Sequence, residues 1–283
     1  MKLPPFEYAA PTTLAEAVRL LAAHPGAKAL AGGQSLIPTL AFRLGAPSML
    51  VDLGKLDELR HITIDASDVR LGARTRWRDI EDDERLVAAH PLLVAAVKHV
   101  AHYQIRNRGT VGGSLAHADP AAELPGITVT CDATIAVTGP NGARILAAGD
   151  FFTGALSTAL ADDELITELR LPAWPRERRW AFEEFSRRRG DFALAGIAAY
   201  YDLDSGGKAH NTHIGVIGAC TRPHRLPAAE SALNGRRVDA AVIERAAKAL
   251  QAALDPPSDL HASARYRCSL AGTLLERALT RTL

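Results

Sequence analysis

Two glycine-rich stretches hold the residues best suited to chemistry. The first is Leu30-Ala31-Gly32-Gly33-Gln34-Ser35-Leu36; the second runs from Arg106 to Glu123 and contains Thr110-Val111-Gly112-Gly113-Ser114. Glycine lacks a Cβ, so it takes positive φ readily and lets backbone approach a ligand closely. Successive N–H groups in such turns form concave anion sites. Two of these on separate segments suit the two phosphates of a pyrophosphate. The hydroxyls of Ser35, Thr110 and Ser114 are further donors, and Asp119 and Glu123 can accept from ribose hydroxyls or adenine N–H groups. Spacing alone fits two plain tight turns as well. Neither stretch carries G-x-G-x-x-G or G-x-x-x-x-G-K-[ST], which disfavours a Rossmann NAD(P) domain and a P-loop nucleotide triphosphatase.

Other candidates read more plainly. Cys131, Cys220 and Cys268 are distant from one another and odd in number, which argues against a disulfide framework and for small buried hydrophobes. They cannot supply the four closely spaced thiolates of a conventional [2Fe–2S] cluster, so any metal redox centre belongs on another polypeptide. His99 and His102 lack a third ligand at metal spacing. Arg187 to Arg189 read as a solvated turn. The 33 basic and 32 acidic residues leave a net charge of +1, giving no reason to expect nucleic acid or an anionic membrane as partner. The start, Met1-Lys2-Leu3-Pro4-Pro5, has no signal-peptide core, and no run is long and apolar enough to span a bilayer. A cytoplasmic location is the expectation.

The elements that must position these residues follow from periodicity. Thr13-x-x-Glu16 is a capping box, and Leu14, Val18 and Leu21 predict a helix that Pro25-Gly26 ends. Short strands follow at 28–31 and 48–52. Alternation predicts half-buried strands around Ile62 and Ile64, Val69 to Ala73, Thr134 to Thr138 and Glu164 to Leu171. Residues 79–103 read as mainly helical, broken at Gly109 to Gly113. Pro172 to Pro175 and the arginines after it read as a linker. Beyond lie three strands (180–186, 195–203, 211–219), with a Gly206-Gly207 hairpin turn, then helices near 238–254 and 263–280.

Ala31 to Pro38, Val51-Asp52, and above all Ile105 to Ser114 with His117 to Pro125 resemble the medium, FAD-binding subunit of molybdenum hydroxylases, the carbon monoxide dehydrogenase and xanthine dehydrogenase type. The resemblance runs in order from residue 3 to about 280. It implies an α+β fold: a vanillyl-alcohol-oxidase-like (PCMH-type) FAD-binding domain over 1–175, made of two α/β subdomains (1–57 and 58–175), then a C-terminal domain over 176–283 with a three-stranded antiparallel sheet and helices. It implies FAD as cofactor, with Leu30 to Leu36 around the pyrophosphate, Thr110, Gly112, Gly113 and Ser114 on its other side, and Asp119 and Glu123 on the nucleotide. Ile166 matches an apolar stretch beside the flavin ring. Phe192 and Tyr103 are candidates to pack on the ring, though core packing explains either. The implied partners are a small [2Fe–2S] subunit and a large molybdenum-cofactor subunit, in a heterotrimer that passes electrons to an external acceptor. The departures are Gln34, where histidine or asparagine is frequent, and Ser186-Arg187-Arg188-Arg189, where a lysine is frequent before Gly190-Asp191. The alternatives are a self-sufficient FAD oxidoreductase of the same fold acting on a small molecule, and an assembly subunit without cofactor. A Cβ at Gly112 is expected to abolish flavin binding by blocking the backbone's approach.

Overall fold

The computed structural model describes residues 2–283. The first unit is a three-stranded parallel sheet: β1 (Glu7–Ala9) and β2 (Lys28–Leu30) flank β3 (Met49–Asp52). Helix α1 (Leu14–Ala23) turns Ala17, Val18 and Leu21 onto Met49 and Val51. Its cap is a variant of the box: Thr13 Oγ1 accepts from the Glu16 N–H (3.2 Å), but the Glu16 carboxylate reaches back to the N–H of Thr12 (3.3 Å). Gly26, at φ +80°, reverses the chain into β2. Helix α2 (Leu36–Ala41) follows the first glycine motif directly.

The second unit is a five-stranded antiparallel sheet in the order β4 (Ile62–Ile64), β5 (Asp68–Gly72), β10 (Leu165–Pro172), β6 (Thr134–Gly139), β7 (Gly142–Ala147). Residues 79–103 do not form one helix. They form α3 (Trp77–Asp82, beginning just ahead), α4 (Glu84–Ala89) and α5 (Pro91–Val97). The breaks have clear causes. Asp83 Oδ1 accepts from the Arg85 N–H (3.1 Å), His90 Nδ1 accepts from the Leu93 N–H (3.2 Å), and Pro91 can only begin a helix. Three further helices precede β6: α6 (Tyr103–Arg106), α7 (Val111–His117) and α8 (Glu123–Thr130). A one-turn helix α9 (Ala148–Phe151) and a small hairpin of β8 (Phe152–Gly154) and β9 (Ser157–Thr158) come before β10. Leu71, Ile135 and Leu169 of the sheet share one core with Leu93, Leu115 and Ile127 of the helices.

The third unit has β11 (Arg179–Phe185), β12 (Ala195–Leu203) and β13 (Ala209–Ile217), all antiparallel, with a two-residue fourth strand β14 (His224–Arg225). The hairpin closes where Asp204 Oδ1 accepts from the N–H groups of Gly206 and Lys208. Helices α10 (Pro227–Leu233), α11 (Ala240–Ala253) and α12 (Ala264–Thr280) cover one face. The other face packs on α8, so β12 is buried on both sides and reads as a continuous apolar run. All eight residues of α8 are buried. The segment read as a linker is pinned: the Arg178 guanidinium lies over the rings of Tyr200 (4.3 Å) and Trp174 (5.0 Å) and pairs with Asp202 (2.8 Å).

Candidate cofactor-binding site

The two glycine motifs meet in space. Gly32 sits against the chain at Arg108 and Gly109: a Cβ on Gly32 would lie 2.3 Å from the Arg108 carbonyl oxygen. Gly109 in turn sits against the Trp77 indole, 2.7 Å from where its own Cβ would be, and Gly112 sits 2.7 Å on the same measure from the Ala73 Cβ. Three backbone segments are thus stacked at distances only glycine allows.

The motifs differ in what they leave open. At the first, Gly33 takes φ +73°, and the chain enters α2 with no internal acceptor, among the described residues, for the N–H groups of Gly32, Gly33, Gln34, Ser35 and Leu36. The stretch is half-exposed. Five unpaired N–H groups around a left-handed glycine form a nest that fits an oxyanion such as a pyrophosphate. Gln34 closes back on it by donating from Nε2 to the Gly32 carbonyl (3.0 Å), and Leu30, at the end of β2, pairs with Asp52 of β3. Ala31 is half-buried beside the same core as α1.

The second motif is not a nest. It is the start of α7, and its amides are engaged. Val111 N–H donates to Thr75 O (2.9 Å) and Gly112 N–H to Ala73 O (2.8 Å). Gly113 N–H donates to Thr110 Oγ1 (3.1 Å) and Ser114 N–H to Thr110 O (3.0 Å). The expectation of two amide nests is therefore corrected to one, and the glycines at 112 and 113 serve close packing and the helix start. Gly112→Val would harm the fold before it touched a ligand. Thr110 is the N-cap. Thr110→Ala is expected to cost about 1 kcal/mol of stability, read by thermal or denaturant unfolding of the chain without cofactor, because the Gly113 N–H loses its partner.

Arg106 fixes the loop that carries this motif. Its Nε donates to Glu81 Oε2 (2.9 Å) and its Nη1 to the carbonyls of Val100 and Ala101 (3.0 Å each). Asp119, half-buried, accepts from the Ala121 N–H through Oδ1 (2.8 Å). Glu123 opens α8 and is buried. Burial pushes its carboxyl up to about 7, with the Asp119 charge adding to the effect. Ile166 packs in the core of the second unit beside a bulge that leaves the Thr167 carbonyl free to accept from the Ala73 N–H (2.9 Å).

Tyr103 and Phe192 are exposed, so neither is a core residue. His99 and His102 lie in the turn between α5 and α6, not on one helix, and face the C-terminal unit: His99 Nδ1 is 3.7 Å from Glu184 Oε1, and His102 lies against Gly190. Cys131 and Cys220 are buried in the cores, and burial pushes the Cys220 thiol up to about 12. Glu184 on β11 gave no signal in the sequence: as one of two adjacent glutamates it reads as a solvent-facing position, yet its side chain is 3% exposed.

A half-open nest beside a glycine-packed second loop suits an oxyanion such as a pyrophosphate. The family described as the FAD binding domain in molybdopterin dehydrogenase matches residues 4–174, and the CO dehydrogenase flavoprotein C-terminal domain matches 180–282. The chain belongs to the FAD-binding medium subunits of molybdenum hydroxylases, and FAD is its cofactor. It is 38% identical over 279 residues to the nicotine 6-hydroxylase medium subunit of Paenarthrobacter nicotinovorans, covering 99% of this chain and 98% of that one. It is 36% identical to the carbon monoxide dehydrogenase medium chain of Hydrogenophaga pseudoflava, over 98% and 96% of the two chains. The structure matches that of carbon monoxide dehydrogenase from the same organism at a TM-score of 0.96 and 38% identity, covering 100% of this chain and 98% of the other. It matches quinoline 2-oxidoreductase from Pseudomonas putida 86 at 0.95 and 37%, with the same coverage. The chain is thus an oxidoreductase subunit of a multi-subunit complex. Among the described residues, no helix is long and apolar enough to cross a membrane.

Proposed function

We propose that this chain is the electron-transfer subunit of its complex: FAD held here takes electrons from [2Fe–2S] clusters on a small partner subunit, after a large molybdenum-cofactor subunit has oxidised the substrate, and passes them to an external acceptor. The observation that carries the cofactor side is the run of five unpaired N–H groups from Gly32 to Leu36, pressed against the Arg108–Gly109 backbone. The partner side is supported by the cysteines: three, Cys131, Cys220 and Cys268, distant in sequence, cannot supply the four closely spaced thiolates of a conventional cluster.

When bound, FAD supplies the exchange between one-electron and two-electron carriers. The chain's own part is to hold and shield it. The N–H groups of Gly32 to Leu36 and the Ser35 hydroxyl would receive the pyrophosphate. Thr110 and the packed pair Gly112–Gly113 would fix the loop opposite, with the Ser114 hydroxyl on its rim. Asp119 and Glu123 would accept from the nucleotide. Ile166 would act through its place in the wall and not by direct side-chain contact. We divide the chain at the Pro172 to Pro175 segment, giving an FAD-binding part over 1–175 and a C-terminal part over 176–283. The sheets on either side of that segment support the division. A cytoplasmic heterotrimer is the assembly this reading favours.

Co-expression with the neighbouring reading frames tests it. The expected product is a complex containing FAD, iron and molybdenum, with FAD lost from the complex when this chain is left out. A complex in which this chain carries no flavin contradicts the reading. If instead a small alcohol bleaches the flavin of the isolated chain, the chain is a self-sufficient oxidoreductase.

A further inference from the structure

Where the turn between α5 and α6 faces the end of β11, the chain borders a cavity of about 440 Å³, a size common among ligand pockets. Both walls are fixed. On one side Arg106 Nη1 donates to the carbonyls of Val100 and Ala101 (3.0 Å each), and its Nε donates to Glu81 (2.9 Å). On the other, the turn after β11 closes where the Asp191 N–H donates to the Arg188 carbonyl (3.0 Å) and the Leu194 N–H to that of Phe185 (2.9 Å). Gly190, at φ +89°, lets this turn press on the first wall: a Cβ there would lie 2.4 Å from His102 Cε1 and 2.9 Å from the Ala101 carbonyl oxygen. The first wall also leads to the nest. Helix α6, four residues and about 6 Å long, joins it to the Arg108–Gly109 backbone on which Gly32 packs.

The polar groups of the cavity are left unpaired in a particular way. Glu184 is the one acid among the residues that line it. Its side chain is 3% exposed, and Oε2 has no hydrogen-bond partner. Oε1 lies 3.7 Å from His99 Nδ1, beyond hydrogen-bond range. A buried acceptor without a donor is costly, so it calls for a partner. The free donors stand elsewhere on the walls. Lys98 and Arg189 line the same cavity and, among the described residues, enter no ion pair. Ser186 is already engaged, its Oγ donating to the Arg188 carbonyl (2.8 Å). Phe185, partly exposed, adds an apolar ring. A ligand that satisfies this set has one N–H for Glu184 and acceptor oxygens for the two cations. The neutral imide edge of a planar heterocycle has that pattern: one N–H between two carbonyl oxygens. FAD carries such an edge on the pyrimidine side of its flavin ring.

We propose that this cavity seats the pyrimidine edge of the flavin ring, with Glu184 Oε2 accepting from the imide N–H and Lys98 and Arg189 donating to the carbonyls beside it. A carboxyl group keeps acceptor capacity with or without its proton, so Glu184 serves in either form. The two cations favour the charge that gathers at those carbonyls when the ring is reduced. The inference rests on the reading of Gly32 to Leu36 as the pyrophosphate site.

The test is titration of the full chain stripped of flavin, with FAD and with FAD methylated at the imide nitrogen, followed by flavin fluorescence, for wild type, E184Q and E184A. Wild type is expected to bind the methylated cofactor about tenfold or more weakly than FAD, since one buried hydrogen bond is lost. E184Q keeps an acceptor oxygen and should keep that preference; E184A should lose it. ADP, which lacks the ring, should bind all three proteins alike by calorimetry. R189M alters an exposed turn and keeps the fold. It is expected to shift the balance of bound FAD about tenfold towards the oxidised form, about 30 mV for two electrons, read by equilibration with a redox dye. Equal affinity of wild type for FAD and its methylated form, an unchanged balance in R189M, or a loss of ADP binding in E184A overturns the inference alone. So does uptake of free lumiflavin by the FAD-loaded wild type and not by FAD-loaded E184A, because the cavity then serves a second ligand. A folded wild-type chain that binds neither FAD nor ADP overturns the pyrophosphate reading as well.

Discussion

Gly32→Ala is expected to lower FAD affinity by about a hundredfold or more, equivalent to about 2.7 kcal/mol. One methyl group suffices because of where it would go. The Cβ would lie 2.3 Å from the Arg108 carbonyl oxygen and 2.9 Å from Gly109 Cα, both backbone atoms that cannot rotate away. The loop at 31–35 must then move off the loop at 107–110, and the N–H groups of Gly32 to Leu36 move with it. The change also overpacks the junction, with a cost of about 1 to 3 kcal/mol in stability. Gly149→Ala is the matched control, since nothing lies within 4 Å of its added Cβ and it sits in the short helix α9. Isothermal titration of both variants with FAD separates the two effects. Wild-type affinity in Gly32→Ala would show that the two loops do not need their contact.

Arg267→Met is expected to destabilise the chain by about 2 kcal/mol or more, from two buried carbonyls that each lose their donor at a cost of about 1 to 3 kcal/mol. Arg267 projects from α12 through the C-terminal core, with 4% of its surface exposed. Its Nη1 donates to the carbonyls of Leu194 (2.8 Å) and Gly218 (2.9 Å), and its Nη2 to Asp259 Oδ2 (2.7 Å). Methionine fills much of the volume but leaves two buried carbonyls unsatisfied. The effect reaches the cofactor site, because the Gly218 N–H holds the Pro120 carbonyl next to Asp119 and Glu123. Denaturant unfolding gives the stability change, and FAD titration under folding conditions gives the coupled loss of affinity. Arg267→Lys keeps the charge but not the planar fork, so it should recover only part of either. A variant as stable as wild type would show that α12 does not brace this junction.

Much of the architecture was legible because it rests on local chemistry. Thr13 and Glu16 mark the start of α1, Gly206-Gly207 marks a hairpin, and the helices at 240–253 and 264–280 carry clear apolar stripes. The mainly helical stretch read over 79–103 is divided into three helices, and one cause is present in the sequence: Pro91, whose ring ends the preceding helix. Two elements were not legible. Helix α8 is buried on every side, so it has no polar face and no amphipathic period to detect. Helix α7 carries two glycines in its first turn, which read as a turn because glycine is a poor helix former. Its glycines are accounted for only by Ala73 and Thr110, and Ala73 lies far away in sequence.

The candidate site divides in the same way. The residue types of a nucleotide site stand out in the chain, and the first motif is the nest they suggest. Which amides are free is a tertiary fact. Those of Val111 and Gly112 are taken by carbonyls at Thr75 and Ala73, while those of Gly32 to Leu36 meet no such partner. The burial of Glu123 at the start of α8 is likewise invisible until the C-terminal sheet packs on that helix.

The central claim, a chain built to hold FAD between its two glycine motifs, is tested most directly by the visible absorption spectrum of the purified protein, with the released cofactor identified and FAD added back to any colourless preparation. The account predicts a flavin spectrum and FAD in equimolar amount with the chain. A folded chain that takes up no FAD on titration, even with its partner subunits present, would contradict it.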